Sequence, residues 1–487
     1  MDDFECSNVK PHVALLSSPG LGNLIPLLEL GKRFVTLHNF KVTVFIVPSP
    51  TSHVKTQILQ SAMTPKILDI IELPPFDISS IIEPGAATVR VIRVIMRVIR
   101  PSLRTSISNM KSRPNALIVD IFGTESSPIA DEFNMLKYLF VASNSKFLAL
   151  TLYTPFLDKQ VQGEYVEQKD LLRIPGCSPV RPEDVVDPML DRTNPQYHEY
   201  VQMGIEYANG QGDGILVNTW YDLCAQELKA LGDDHLLGQI VKVPVYPVGP
   251  LLRQSGSGRS CSKELFDWLD MQPSKSVIYV SFGSGGTLSH KQMTEIAWGL
   301  ELSQKRFVWV VRPPTIGTAD AAYFKTGSDH PSDPATYLPE GFLIRTQNVG
   351  IVISVWAPQV EILGHPSVGG FLSHCGWNSA LESFTQGVPM IALPLYAEQR
   401  LNATKLVDEM GVAVRPKELP TKNVVGREEV QKMVRKLMED DTAGGMRARL
   451  NELKYSAAQA LSKGGSSCTA LSLVAKQCEE RFRSTVP

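Results

Sequence analysis

Two rhythms of apolar and polar residues alternate along this chain. Short runs rich in Val, Ile, Leu and Phe are separated by longer stretches with apolar residues at helical spacing. That succession predicts βαβ units and a parallel sheet, because a strand buried on both faces reads as an unbroken apolar run. In the first half the predicted strands are Val13–Ser17, Val42–Val47, Ala116–Asp120, Tyr138–Ala142 and Gly214–Asn218. In the second half they are Val277–Ser281, Phe307–Val311, Gly350–Ser354, Val368–Leu372 and Met390–Leu393. Leu24–Leu37 is predicted as the first helix, carried by Leu24, Leu27, Leu28 and Leu30.

The pattern breaks between Pro250 and Ser262, where Gln-Ser-Gly-Ser-Gly-Arg-Ser has the composition of a flexible linker. Residues 1–250 are expected to form one domain, 251–262 the linker and 263–465 a second domain. A terminal helix over 466–487 is expected to pack back on the first domain. A chain of 487 residues is too long for one core, which agrees with this division. Each half opens with a strand and a glycine turn, Pro19-Gly20-Leu21-Gly22 and Gly283-Ser284-Gly285-Gly286. Two doubly wound domains facing each other would hold a ligand between their strand C-termini. Residues 313–340 lack periodicity and are expected to form a long loop, a feature often tied to function.

Composition narrows the class. Hydrophobic residues make up 43% of the chain, charged residues 20%, and the formal net charge is -2. Nothing there favours nucleic acid or an anionic membrane surface as a partner. The first ten residues carry Asp2, Asp3 and Glu5 and lead into a short apolar run, so neither a secretory leader nor a membrane span is expected. Seven cysteines, without a CxxC, indicate neither a disulfide framework nor a zinc site. A cytoplasmic monomer is expected.

Both glycine turns fail as dinucleotide fingerprints. Ile25 and Leu288 stand where the third glycine should be, and Phe45-Ile46-Val47-Pro48 lacks the ribose-binding acid. An oxidoreductase using NAD is thereby disfavoured, and no phosphate-binding GxxxxGK[ST] loop occurs. The segment from Trp356 to Gln399 says more. It holds Trp356-Ala357-Pro358-Gln359, then His374-Cys375-Gly376-Trp377-Asn378-Ser379, and ends Glu398-Gln399. Asn378 or Ser379 is a good N-cap for a helix reaching Thr385. Free N–H groups at such a start form an anion site, and His374 can add a donor. Glu382, one turn into that helix, would repel a phosphate but accept bonds from a ribose diol.

This segment closely resembles the signature box of the plant family-1 UDP-dependent glycosyltransferases, with no insertion or deletion. The resemblance extends to both chain ends and to the loop around 313–345. It looks closest to the subgroup that glucosylates phenolics such as monolignols, hydroquinone and chlorinated phenols. It implies a GT-B fold, two Rossmann-like domains facing across a cleft. The implied activity is transfer of glucose from UDP-glucose, a co-substrate, to a small acceptor, with no cofactor and no metal. The implied donor contacts are Trp356 and the Ala357 backbone for uracil, and Gln359 and Glu382 for the ribose. His374, Asn378, Ser379 and Ser284 would hold the diphosphate, and Trp377, Glu398 and Gln399 the hexose. A stacking ring and a helix N-terminus suit these tasks, and the chain has no Asp-x-Asp motif.

One position departs from the family. Members usually carry a histidine base in a Pro-Gly-x-Gly-His turn, oriented by an aspartate from a later strand. Asp120 matches the aspartate, but position 23 is Asn. An amide takes no proton near neutral pH, and general-base catalysis is usually worth about 10²–10⁴-fold. His12 and His38 are poorly placed as substitutes. Asn23 could simply cap the helix at Leu24. Three accounts remain open: an acidic acceptor that needs little help, Asp120 as the base directly or through water, or a donor-binding protein of low turnover. Arg90, Arg93, Arg97, Arg100 and Arg104 recur at helical spacing. They form either a solvated face or, through Arg90 and Arg93, part of an acceptor pocket that favours anions.

Overall fold

The computed structural model describes residues 10–48, 58–59, 67–208, 212–253, 263–314, 319–320, 323, 333–354, 356–418, 423–439 and 442–485. The Ser- and Gly-rich stretch and most of the 313–340 loop lie outside the described residues, as do both ends of the chain.

Among the described residues, thirteen strands form two parallel sheets. The first contains β1 His12–Ser17, β2 Lys41–Ile46, β3 Asp69–Glu72, β4 Ala116–Asp120, β5 Leu136–Val141, β6 Gly214–Val217 and β7 Val245–Pro247. Its order is β3-β2-β1-β4-β5-β6-β7. The second contains β8 Val277–Ser281, β9 Arg306–Val311, β10 Gly350–Ser354, β11 Val368–Ser373, β12 Met390–Ala392 and β13 Ala413–Val414, in the order β10-β9-β8-β11-β12-β13. Both orders reverse direction beside the first strand, between β1 and β4 and between β8 and β11. Such reversals open a crevice at the strand C-termini. The chain thus has two Rossmann-like α/β sheets in the GT-B arrangement.

All ten expected strands are present, with ends shifted by a residue or so. β3, β7 and β13 were not expected. Each lies at a sheet edge and is only two to four residues long, so pairing with a neighbour defines it rather than any apolar run. The central strands are buried along their full length, as in β1, β4, β8 and β11. The last long helix, Ser466–Thr485, lays Leu471, Val474, Ala475 and Cys478 into the same core as Val13, Leu27 and Tyr138 of the first sheet. Helix Thr442–Leu461 instead packs Leu450, Leu453 and Ala457 into a core with Phe371 and Trp377.

The arginine stripe is buried at Arg93 and exposed at Arg104, and neither Arg90 nor Arg93 lines the cleft. It spans two helices, Thr88–Val98 and Arg100–Ser108. On the first, Thr88, Val89 and Ile92 face the cleft, whereas Arg90, Arg93 and Arg97 turn toward helix Pro195–Ala208. The Arg93 side chain is 0% exposed and pairs with Glu125 at 2.6 Å, Glu206 at 2.8 Å and Glu199 at 3.4 Å. Arg90 meets Glu83 at 3.1 Å and Glu199 at 3.7 Å. Three carboxylates around one buried guanidinium compensate its lost hydration, which a solvated stripe would not need. Replacing Arg93 by Leu leaves those carboxylates without their central cation. The expected loss is roughly 3–5 kcal/mol, read as a lower denaturant midpoint, whereas Arg104→Ala, which breaks an exposed pair with Glu132, should move it little.

Candidate functional site

The C-terminal edges of the two sheets face each other across a cavity of about 290 Å³. Its lower wall comes from the turns after β1, β4 and β5, and its upper wall from the turns after β8, β11 and β12. Hydrogen bonds close the walls on one another. Asn378 Nδ2 donates to Gly22 O at 2.9 Å, and Trp377 Nε1 donates to Asn218 O at 2.7 Å.

Helix Trp377–Gln386 starts at this edge with Gly376 as its N-cap, two or three residues before the expected cap. Asn378 and Ser379 therefore sit inside the first turn. No side chain caps this helix, so its leading N–H groups point toward the cleft. His374 is buried beside them, and burial, reinforced by the nearby Arg312 charge, lowers its pKa to about 4. At neutral pH it is an uncharged imidazole that can donate one hydrogen bond. Gly283 makes room for it: a Cβ there would lie 2.5 Å from His374 Nε2, and the backbone sits at φ +72°. Ser284, in the same turn, accepts from Arg312 Nη1 through its carbonyl oxygen. His374, Ser284, Asn378 and Ser379 thus surround one helix start, the arrangement that suits a diphosphate.

At the far end of this helix turn, Gln359 Nε2 donates to Ser379 Oγ at 3.0 Å and to Glu382 Oε2 at 2.5 Å. Glu382 keeps part of its surface open to the cleft, while the surrounding protein pushes its pKa up to about 7. Trp356 lines the same end, partly exposed, and Ala357 follows it. These five positions form one continuous wall, as a base and ribose would require.

The hexose positions are more constrained than their residue types suggest. The Trp377 indole lines the cavity but is largely buried, packed edge-on with Phe384 and tied to Asn218 O. Gln399 Oε1 accepts from Leu395 N at 2.9 Å and Tyr396 N at 3.1 Å, which leaves its NH₂ as the group with spare capacity. Glu398 accepts from Ser143 Oγ at 3.0 Å, and burial raises its pKa.

On the opposite wall, Asn23 faces the cleft but does not cap a helix. Helix Leu21–His38 begins two residues before it, with Gly20 at φ +109° as the N-cap. Only a glycine fits there, because a Cβ would lie 2.4 Å from the Tyr323 hydroxyl. Asn23 Nδ2 donates to Ser18 Oγ at 3.0 Å. Asp120 is fully buried behind Ser18 and is absent from the cleft wall. Its carboxylate accepts from Ser18 N at 2.6 Å and Phe122 N at 3.1 Å. Burial pushes its pKa up to about 6, against the pull of those donors. Asp120 thus meets the backbone of Ser18, and Asn23 meets the Ser18 hydroxyl. Arg90 and Arg93 are absent from the wall. Residues with no motif complete the site: Tyr323, whose hydroxyl donates to Pro19 O at 2.9 Å, with Arg312 and Asp187. Only Ser18, next to the glycine turn, carried a signal that could have marked it.

Among the described residues no cluster of His, Cys, Asp and Glu is arranged to hold a metal ion, and no helix is long and apolar enough to cross a membrane.

The Glu382 carboxylate makes nucleoside binding depend on pH. A ribose diol donates to the ionised form, so the neutral acid must lose a proton when the nucleoside binds. Affinity should be flat above pH 7 and fall below it, by about tenfold between pH 8 and pH 6. Titrating uridine, which has no group ionising in that range, measures this. Glu382→Gln should bind more weakly at pH 8 and lose the pH dependence. An unchanged pH profile in that variant removes Glu382 from the ribose.

Known proteins share this architecture over its whole length. Residues 255–442 match the family described as UDP-glucoronosyl and UDP-glucosyl transferase. The anthocyanidin 3-O-glucosyltransferase 5 of Manihot esculenta is 58% identical over 98% of this chain and 97% of its own. The hydroquinone glucosyltransferase of Rauvolfia serpentina is 41% identical over 98% and 99%. Among solved structures, TcCGT1 in complex with UDP superposes with a TM-score of 0.89 at 47% identity, covering 97% of this chain and 100% of that one. Phytolacca americana UGT2, solved with UDP-2fluoro-glucose and pterostilbene, gives 0.84 at 36% identity over 96% and 100%. With relatives this similar from end to end, and a helix start, a neutral imidazole and a carboxylate gathered along one wall, the chain belongs to the plant family-1 UDP-glycosyltransferases.

Proposed function

We propose that this enzyme moves glucose from UDP-glucose to an acidic hydroxyl, above all a phenol, on a flat apolar acceptor that supplies its own ionisation. The observation that carries the reading is the pairing of a buried Asp120 with a half-buried amide at Asn23 that lines the cleft. No group with a free lone pair and a pKa near neutrality meets the acceptor at this turn. Asp120 acts on Ser18, and Ser18 on Asn23, so the triplet orients a hydrogen-bonding amide. The acceptor half of the cleft supports the same reading. Ile92, Ile121, Phe122, Phe147 and Met203 form an uncharged wall suited to an aromatic ring. With Arg90 and Arg93 held by glutamates, no cation of that helix selects carboxylates. Two relatives are named for anthocyanidin and for hydroquinone, both phenols.

In this mechanism the acceptor loses its proton to water, and the phenolate oxygen attacks C1 of the glucose. The new C1–O bond forms as the bond from C1 to the diphosphate oxygen breaks, and UDP leaves. Charge growing on the leaving diphosphate meets the start of helix Trp377–Gln386 and the His374 N–H, both preorganised. Trp356, Ala357, Gln359 and Glu382 hold the uridine, and Ser284, Asn378 and Ser379 the phosphates. Glu398 and Gln399 contact the hexose. Residues 1–250 bind the acceptor and 263–465 the donor.

A series of phenols and alcohols of graded pKa tests this. At fixed pH, kcat/KM should rise steeply as acceptor pKa falls, and each pH profile should follow the acceptor's own pKa. Asn23→His should flatten the series, by up to about 10²-fold for the least acidic alcohols. A pH profile pinned near 6 for every acceptor, and abolished by Asp120→Asn, would make Asp120 the base and refute self-ionisation.

A further inference from the structure

Asp187 opens a 3₁₀ turn, Asp187–Leu190, in the first half of the chain, and it lines the cleft. Its partners all belong to the other half. Oδ2 accepts from Ala397 N at 2.7 Å, and Oδ1 accepts from Arg400 Nη2 at 2.6 Å. The Asp187 N–H donates to Ala397 O at 3.2 Å, so both backbone groups of Ala397 are held. Arg400, with its side chain 2% exposed, also donates to Val185 O from Nε at 3.2 Å and Nη2 at 2.9 Å. An acid, a guanidinium and two peptide groups thus form one clamp across the cleft.

Ala397 needs such a clamp. Its φ is +55°, the left-handed region that a residue with a Cβ rarely adopts. The strain sits one residue before Glu398 and two before Gln399. Release of Ala397 to an ordinary φ would swing the Leu395–Gln399 turn, in which Gln399 Oε1 is already stapled to two backbone N–H groups. Strain of this kind persists only where the surroundings over-determine it. The surroundings here are Asp187 and Arg400.

We propose that Asp187 is a positioning residue for donor-sugar selection. It holds Ala397 left-handed, which aims Glu398 and Gln399 at the hexose. The half of the chain that binds the acceptor thereby helps set which sugar the other half accepts. The inference rests on the reading of Glu398 and Gln399 as hexose contacts. It extends that reading to a residue outside the signature box, reached only by folding.

Comparing UDP with UDP-glucose tests it in the full-length enzyme. UDP lacks the hexose, so a clamp that serves only the sugar leaves its affinity untouched. In Asp187→Ala, UDP should bind within twofold of the natural protein by calorimetry, while UDP-glucose binds about tenfold more weakly. The ratio of kcat/KM for UDP-glucose over UDP-galactose, with hydroquinone as acceptor, should fall toward one. Asp187→Asn, which keeps a carbonyl oxygen for the Ala397 N–H, should restore most of that ratio. Equal weakening of UDP and UDP-glucose would make Asp187 a strut between the halves and overturn the proposal, as would no change in either. If Asp187→Ala does not fold, Asp187→Glu takes its place, being too long to serve both partners in the same geometry. It should lower UDP-glucose affinity at least threefold without affecting UDP, and an unchanged affinity overturns the proposal. Gln399→Ala separates the two levels. If it weakens UDP-glucose and Asp187→Ala does not, only the clamp fails. If Gln399→Ala changes nothing, the hexose reading fails and the clamp with it.

Discussion

Parallel strands all end at the same edge of their sheet, and everything at this site follows from that constraint. Each sheet reverses its order beside its first strand, so each has one crevice where two strand ends diverge. β1 and β4 deliver Ser18, Asn23 and Asp120 to the first crevice, and β8 and β11 deliver Ser284, His374 and Asn378 to the second. Neither crevice alone encloses a sugar. Facing one another, they bring an uncapped helix start to within one hydrogen bond, Asn378 to Gly22, of the turn that carries Asn23. The helix dipole and the free N–H groups then act in a partly dehydrated space, where they count for more than in water.

The facing of the halves is held by polar contacts that are costly to bury singly. Lys405 pairs with Glu227 at 2.8 Å with both side chains almost fully enclosed, and Lys146 reaches Glu409 from the other side. Arg181 meets Asp408 at 2.6 Å, and Asn144 donates to Asn402 at 2.7 Å. Such pairs return little net stability over well-packed apolar residues. They do demand one relative placement, because a small slip leaves a charge without its partner. A site built from two walls needs that kind of registration more than it needs extra stability.

Burial also sets the chemistry of single groups. The same loss of hydration holds His374 neutral, keeps Glu382 near the edge of ionisation and moves Asp120 up toward 6. For His374 and Glu382 the result is a donor and an acceptor that fit opposite parts of a nucleotide. For Asp120 the result is a buried carboxylate that holds the backbone N–H groups of Ser18 and Phe122.

Strand and helix periods, the glycine turns and the unbroken box from Trp356 to Gln399 were all legible in the chain itself, because each depends on residues close in sequence. They suffice for the two α/β sheets and for the residues gathered at the start of helix Trp377–Gln386. Asn23 was visible as a departure, yet its surroundings were not: the burial of Asp120 and its bond to Ser18 N are matters of packing. The arginine stripe had a clear period and an undetermined direction. A helix pattern shows which residues share a face, but only the neighbouring helix, with Glu199 and Glu206, decides what that face meets. Gln399 kept its type and lost half its hydrogen-bonding capacity to its own turn. Asp187 had no local mark at all. Its partners lie some two hundred residues away, and contacts at that range are settled by how two sheets dock, because sequence pattern encodes the period of an element but not the surface it will face.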